Sequence, residues 1–150
     1  METNELLARL QVLEDERAIL QTLYQYGHAM DYGPDADFVD CFAPEGVWEV
    51  RMRKTPSAAF TCTGSAEIAA SLEAQTSVRA PALYAKHLLI EPRIVLDGDE
   101  ASVDSYFVRI EPRDDGPTQI VASGRYLDHL VRGGDGRWRF TRRIAEIDDM

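Results

Sequence analysis

The chain has 150 residues, 45% of them hydrophobic and 28% charged, and its 26 acidic against 16 basic side chains leave a formal net charge of −10. That length and balance describe a single globular domain, residues 1–150, with room for a core and a pocket, and they exclude collagen-like, coiled-coil and disordered classes. A surface of this sign repels phosphate backbones, so a nucleic-acid partner is not expected.

From Glu5 to Met30 the apolar residues Leu6, Leu10 and Leu13, then Ile19, Leu23, Tyr26 and Met30, recur every three or four positions, the period of an amphipathic helix. The polar run Glu14-Asp15-Glu16-Arg17 is either a break or a solvated turn of that helix. Asp31-Tyr32-Gly33-Pro34 ends it, since glycine accepts the left-handed cap and proline cannot continue the hydrogen bonding. A short helix is expected over Asp35 to Phe42. Val47 to Arg53 alternates, with Trp48, Val50 and Met52 on one face, and a turn around Thr55-Pro56 leads into Ala59 to Thr63, which reads as a hairpin. Ser65 is a good N-cap for a third helix carrying Ile68, Ala69 and Leu72 on one side and ending before Pro81.

Beyond Pro81 the pattern changes. Tyr84 to Leu96, Ala101 to Glu111, Gln119 to Arg132 and Arg137 to Ile147 are long β-rich segments, separated by the turn sequences Asp97-Gly98-Asp99, Arg113 to Pro117 and Gly133 to Gly136. Helices first and hairpin-linked strands afterwards predict an α+β fold: a strongly curved, cone-shaped antiparallel sheet with the N-terminal helices packed over it, enclosing a pocket. Function is placed in that pocket by default.

No stretch approaches the roughly 18 apolar residues of a membrane span, and Met1 to Leu10 lacks the basic start and apolar core of a signal peptide. No membrane partner is expected, and the cytoplasm is the expected location. Cys41 and Cys62 are too few for a disulfide framework and have no histidines at ligand spacing, so they read as core thiols rather than metal ligands. Glycine-rich phosphate loops, G-x-S-x-G, HExxH and cysteine pairs are all missing, and neither metal nor cofactor is expected.

What remains is a small set of polar residues at inward positions. Asp31 follows Leu20, Leu23 and Gly27 at helical spacing, which projects its carboxylate from the core-facing side at the helix C-terminus, where the macrodipole opposes a negative charge. It is either a helix-terminating cap or the partner of a cation. His87, at the start of Lys86-His87-Leu88-Leu89-Ile90, is the natural partner, because a carboxylate fixes an imidazole in one tautomer and stabilises the imidazolium formed after proton abstraction. The bland alternative is a structural histidine satisfied by one hydrogen bond. His28 and His129 lack such a setting and read as structural.

Tyr26 stands five residues before Asp31, about 140° around a regular helix, so both border one cavity only if it wraps the helix end. Its hydroxyl can donate to a ligand oxygen, or it is simply a core aromatic. Trp48 and Phe107 would supply apolar walls. Arg109 and Glu111 share the Phe107 face by alternation, Arg143 lies past Trp138, and Arg109 or Arg143 can anchor a polar group unless a β-bulge turns it outward.

Ile19-x6-Tyr26-x4-Asp31-Tyr32-Gly33, Phe42-x3-Gly46, His87 before a long hairpin, Gly124-Arg125-Tyr126-x-Asp128 and Gly136-Arg137-Trp138-Arg139-Phe140 with Arg143 together resemble the SnoaL-like, scytalone-dehydratase-like branch of the nuclear-transport-factor-2-like superfamily over nearly the whole chain. The resemblance implies a cystatin-like α+β barrel. Members include scytalone and bile-acid dehydratases, hexachlorocyclohexane dehydrochlorinase, polyketide cyclases and, more distantly, ketosteroid isomerase and the small subunit of ring-hydroxylating dioxygenases. Dehydratase-like members carry an Asp on the first helix and a His on the central strand as a base dyad, the places of Asp31 and His87, and Tyr26 matches the tyrosine of bile-acid dehydratases. Scytalone dehydratase has a second histidine where this chain has Arg109, Ile110 and Glu111, and the dehydrochlorinase has lysine in place of Tyr26, so scytalone and halide elimination are the less expected substrate and reaction.

Two functional classes follow. One is a cofactor-independent, dehydratase-like lyase acting on a small cyclic or polycyclic hydrophobic molecule, with polyketide cyclase and isomerase as neighbours in the same proton chemistry. The other is a non-catalytic ligand-binding or assembly subunit of the same fold. The resemblance implies a homo-oligomer, dimer or trimer.

Overall fold

The computed structural model describes residues 2–55, 57, 60–75 and 84–149. The expected turn at Pro56, the Ala59 start of a strand and the Pro81 boundary lie outside the described residues.

Helix α1 runs from Thr3 to Tyr32 without interruption. The polar run at Glu14 to Arg17 stays helical because Asp15 turns inward, where its two oxygens accept from Trp138 Nε1 at 3.2 Å and from Arg132 Nη2 at 2.8 Å. Ile19, Leu23 and Tyr26 are buried as the periodicity predicts, but Leu6, Leu10 and Leu13 are exposed, at 55%, 48% and 62%. The three-four spacing fixes a face, not what covers it, and the first turns of α1 find no cover within the described chain. Gly33 closes the helix with φ +73° and donates its N–H to Ala29 O at 2.9 Å.

Helix α2 is shorter than expected, Asp35–Val39, because Phe42 already opens strand β1, Phe42–Met52. Strand β2, Phe60–Thr63, pairs antiparallel with β1, Val50 opposite Phe60, which is the expected hairpin. Helix α3, Gly64–Ala74, begins one residue before Ser65. Its N-cap is Thr63, which receives no side-chain cap, and the Thr63 backbone N–H donates to Glu67 instead. Ile68 and Leu72 are buried as predicted, whereas Ala69 is exposed.

Four long strands follow: β3 Lys86–Asp97, β4 Glu100–Arg113, β5 Gly116–Arg132 and β6 Trp138–Asp149. The sheet order is β2-β1-β6-β5-β4-β3. The tight turns make β3 to β6 antiparallel neighbours, but β1 and β6 pair in parallel, so the sheet is mixed rather than wholly antiparallel. A hairpin dictates the direction of consecutive strands only. No turn joins β1 to β6, and their direction is set by how α1 to α3 return the chain to the sheet.

Bulges bend the sheet and reassign its faces. Opposite β5, β6 has Leu130 facing Phe140 and His129 facing Arg142, which leaves Thr141 as an extra residue. Trp138 and Phe140 point inward before it, and Arg143 and Ala145 point inward after it. Along β3, Glu91 and Pro92 together stand against the single Ser105 of β4, one residue in excess, and Glu91 adopts φ +49°. Tyr26, Phe38, Phe42, Trp48 and Phe140 fill the space between helices and sheet. Each such ring removed from water stabilises the fold by about 1.5–3 kcal/mol.

Candidate functional site

A cavity of about 210 Å³ opens between the end of α1 and the inner face of β1, β6, β5, β4 and β3. Tyr26, Met30 and Asp31 reach it from α1, Trp48 from β1, His87 from β3, Phe107 and Arg109 from β4, and Ala122 and Tyr126 from β5.

Asp31 is the last inward residue of α1 before the Gly33 cap and is only 5% exposed. Its Oδ2 accepts the backbone N–H of His87 at 2.7 Å, and its Oδ1 meets His87 Nδ1 at 2.6 Å. The two contacts fasten the helix end to the first strand of the hairpin series. Gly27 lies against the same strand entry, where a Cβ would make an ordinary contact with His87 O at 3.7 Å. With Nδ1–H directed at the carboxylate, Nε2 carries the lone pair that can accept a proton from a ligand.

Tyr26 and Asp31 do border the same cavity, which wraps the helix end. Burial pushes the Tyr26 hydroxyl up to about 12, against the lowering influence of Arg143. The Trp48 indole acts on that hydroxyl as a donor would, yet its buried Nε1 makes no hydrogen bond of good geometry among the described residues. Burial likewise raises Tyr126 well above its ordinary range, the Tyr26 hydroxyl adding to the effect. Both phenols stay protonated at neutral pH and can donate to a ligand oxygen.

Trp48 and Phe107 form walls, as expected. Phe107 stacks on Tyr126, ring centroids 4.5 Å apart and 18° from parallel. The stack needs Gly124 beside it, because a Cβ there would lie 2.9 Å from Phe107 Cε1 and 2.0 Å from Glu146 O. Arg109 faces the cavity and sits opposite His87 in register; its Nη2 pairs with Glu111 Oε1 at 2.5 Å.

Arg143 is placed differently from the expectation of a ligand contact. It points inward, but it lies behind the cavity wall and is fully buried. Its guanidinium carbon is 3.8 Å from the Tyr126 ring centre and 4.0 Å from that of Tyr26, and its Nε and Nη2 donate to the two oxygens of Asp128 at 3.0 and 3.1 Å. The aromatic rings screen it from the cavity, so it supports the tyrosines instead of meeting a ligand. Burial raises the Asp128 carboxyl to about 6, while Arg143 pulls it down. His28 is exposed and His129 bonds Thr141 Oγ1 at 2.7 Å; neither lines the cavity.

Tyr126 is the residue that sequence reasoning passed over as a site candidate. Its signal was available: it alternates with Ala122 and Gly124, the small residues that leave room for a pocket on that face.

Comparison with known proteins agrees with this geometry at the level of fold. A structure described as a nuclear-transport-factor-2-like protein with a cystatin-like fold, from Novosphingobium aromaticivorans, is 25% identical, with 97% of this chain and 90% of that chain covered and a TM-score of 0.83. A chain from the same organism, assigned as the β subunit of an aromatic-ring-hydroxylating dioxygenase, is 22% identical over 94% of this chain and 93% of its own, with a TM-score of 0.78. ActVI-ORFA from Streptomyces coelicolor is 21% identical over 88% and 94%, with a TM-score of 0.69. No curated protein matches. The SnoaL-like domain matches residues 11–144, a span that holds the Asp31–His87 pair, the aromatic wall and the buried Arg143, and the chain belongs to that family.

Proposed function

We propose that the chain is a cofactor-independent lyase of dehydratase type, acting on a small cyclic hydrophobic ketone that carries a hydroxyl β to its carbonyl. The observation that carries this reading is the Asp31–His87 pair at 2.6 Å on the wall of a largely apolar cavity. His87 Nε2 takes the proton from the carbon next to the carbonyl, and the C–H electron pair moves to form the enolate. The enolate then collapses to the conjugated ketone. The β-hydroxyl leaves with its bonding electrons and takes the proton back from the imidazolium, departing as water. Asp31 holds the ring and stabilises its charged form, and the Tyr26 hydroxyl donates to the carbonyl oxygen as negative charge gathers there.

The first half of that sequence is testable without the natural substrate. A set of bicyclic ketones, 2-tetralone among them, incubated with the protein in deuterated water should exchange the proton next to the carbonyl faster than buffer does, as read by NMR. The His87→Ala protein should lose the acceleration. A folded His87→Ala protein that exchanges as fast as the parent overturns the reading. Isomerase and cyclase chemistry would share this step and diverge after it.

The second reading, an assembly subunit, is favoured by one observation. Leu88, Ile90, Val95, Tyr106 and Ile120 leave large apolar side chains exposed on strands β3 to β5. Self-association as a homo-oligomer, dimer or trimer, would cover such surface, and light scattering on the purified chain distinguishes this from a monomer awaiting a different protein. Two free, buried cysteines suit a reducing compartment such as the cytoplasm.

A further inference from the structure

Arg109 is the one cation lining the cavity among the described residues. Its partner in register on β3 is His87 and on β5 is Ala122, so it stands between the candidate base and a small residue that leaves space beside it. Side chains directly opposite on one face of an antiparallel pair have Cβ atoms about 5 Å apart. Phe107, two positions earlier on the same strand face, is a wall of the same cavity.

The guanidinium is only partly used by the protein. Glu111 holds Nη2, while the buried Nε has no hydrogen-bond partner among the described residues. The side chain as a whole is 26% exposed, so a ligand in the cavity meets the open edge of the guanidinium rather than the enclosed Nε. Beyond the dyad and the phenols the remaining lining, with Trp48, Val50, Phe60 and Ile147 among it, is apolar or small apart from Gln75, a neutral amide whose Nε2 already donates to Ser71 O and Oγ at 3.1 and 3.0 Å, so nothing else in the cavity would discriminate strongly between a charged and a neutral ligand. The net charge of −10 gives no general attraction for anions, and any preference for one must come from a local group.

We propose that this site selects ligands bearing a carboxylate, which meets the open edge of the Arg109 guanidinium while the hydrophobic ring system fills the aromatic part of the cavity. This deepens the function proposed above and rests on its premise that the cavity is where the substrate binds. The cross-strand spacing also sets where the carboxylate belongs. A negative group on the carbon that loses its proton would oppose the second negative charge formed there. The acid therefore sits on a short side arm, about one strand spacing from the reacting carbon. The substrate class is a bicyclic or similarly sized cyclic ketone with a short carboxylate arm. Glu111 tunes the preference: as Arg109's own counter-charge it weakens the pull on a ligand anion.

The experiment uses 2-naphthylacetate and its neutral twin 2-naphthylacetamide, titrated into the full chain and read by calorimetry. The acid should bind about tenfold tighter than the amide, as expected for one charge-assisted hydrogen bond to a partly buried guanidinium. Arg109→Gln should equalise the two, Arg109→Lys should keep part of the preference, and Glu111→Gln should enlarge it. Equal binding of acid and amide to the parent, a preference surviving in folded Arg109→Gln protein, or no binding of either probe at millimolar concentration overturns the proposal. Deuterium exchange is scored separately, which keeps the two ideas apart. An acid preference without exchange supports this assignment while sinking the general-base reading, and exchange without an acid preference does the reverse.

Discussion

The carboxylate of Asp31 grips His87 at two points, the backbone N–H at 2.7 Å and ring Nδ1 at 2.6 Å, so one side chain fixes both the strand's entry and the imidazole's tautomer. Asp31→Asn keeps the shape but presents an amide that can offer its NH₂ to Nδ1 and favour the opposite tautomer. The proton exchange proposed for this site should fall by about 10²- to 10⁴-fold, the usual contribution of a positioned base. Far-ultraviolet circular dichroism should be unchanged. A variant that exchanges at the parental rate would separate the pair from any proton chemistry.

The Arg143–Asp128 pair makes a stability prediction with a pH dependence. Both side chains are 0% exposed, so Arg143→Met strands a buried carboxylate and should cost about 3–5 kcal/mol at pH 8 in urea unfolding. The sign with pH follows from burial raising the Asp128 carboxyl to about 6 in the folded protein. A raised folded-state value favours folding most at low pH, where the group is neutral, and that contribution is lost as pH rises through it. Removing the guanidinium raises the carboxyl further, so the Arg143→Met penalty should be smaller at pH 5 than at pH 8. A double change, Arg143→Met with Asp128→Leu, should recover much of the loss, because no uncompensated charge remains.

Glu146 works in the opposite sense. Its carboxylate accepts from Arg125 at 2.7 Å and Arg51 at 2.8 Å, and these hydrogen bonds hold its pKa below the usual glutamate range. A lowered folded-state value contributes stability above about pH 4.5 that disappears as pH falls through it. Glu146→Gln should therefore be less stable than the parent by about 1 kcal/mol at pH 7, and the gap should narrow as the carboxylate is protonated in acid. A gap independent of pH would assign the loss to packing.

Gly124→Ala should destabilise strongly, by about 1–3 kcal/mol or more, since the new methyl carbon would sit 2.0 Å from Glu146 O on β6 and must force the two strands apart. Near-ultraviolet dichroism should register the disturbed Phe107–Tyr126 stack. The same substitution at Gly98, where nothing lies within 4 Å, meets no clash and tests only the cost of positive φ.

These residues also show how far the sequence reaches. Asp31 was legible because Gly33-Pro34 marks the helix end and the three-four period assigns the inner face. His87 was legible as the polar residue at the mouth of a strand. Both depend on local periodicity, which survives folding. Arg143 was legible as a candidate anchor but its face was not, because that depends on the extra residue Thr141, and a bulge leaves no mark in alternation. That it lies behind Tyr26 and Tyr126 rather than in the cavity depends on packing between α1 and the sheet, which no single segment encodes. The parallel pairing of β1 with β6 was hidden for the same reason: it joins segments some ninety positions apart with no turn between them. Leu6, Leu10 and Leu13 carry a periodic face whose partner the described chain does not supply.

Thr141 gives strand β6 two independent halves. Upstream of it the odd and even positions have one meaning and downstream the opposite one. Drawing Thr141 into the ladder opposite His129 would swing Arg142, Ile144 and Glu146 towards the interior and send Arg143 and Ala145 to the surface, replacing the whole supporting layer behind the two tyrosines without touching a residue that lines the cavity from α1 or β3, whereas deleting Thr141 would let Arg142 follow Phe140 directly and keep the present faces. A chain of this kind can thus exchange a whole layer of side chains according to whether one residue bulges, where point substitutions would need to act at several positions at once.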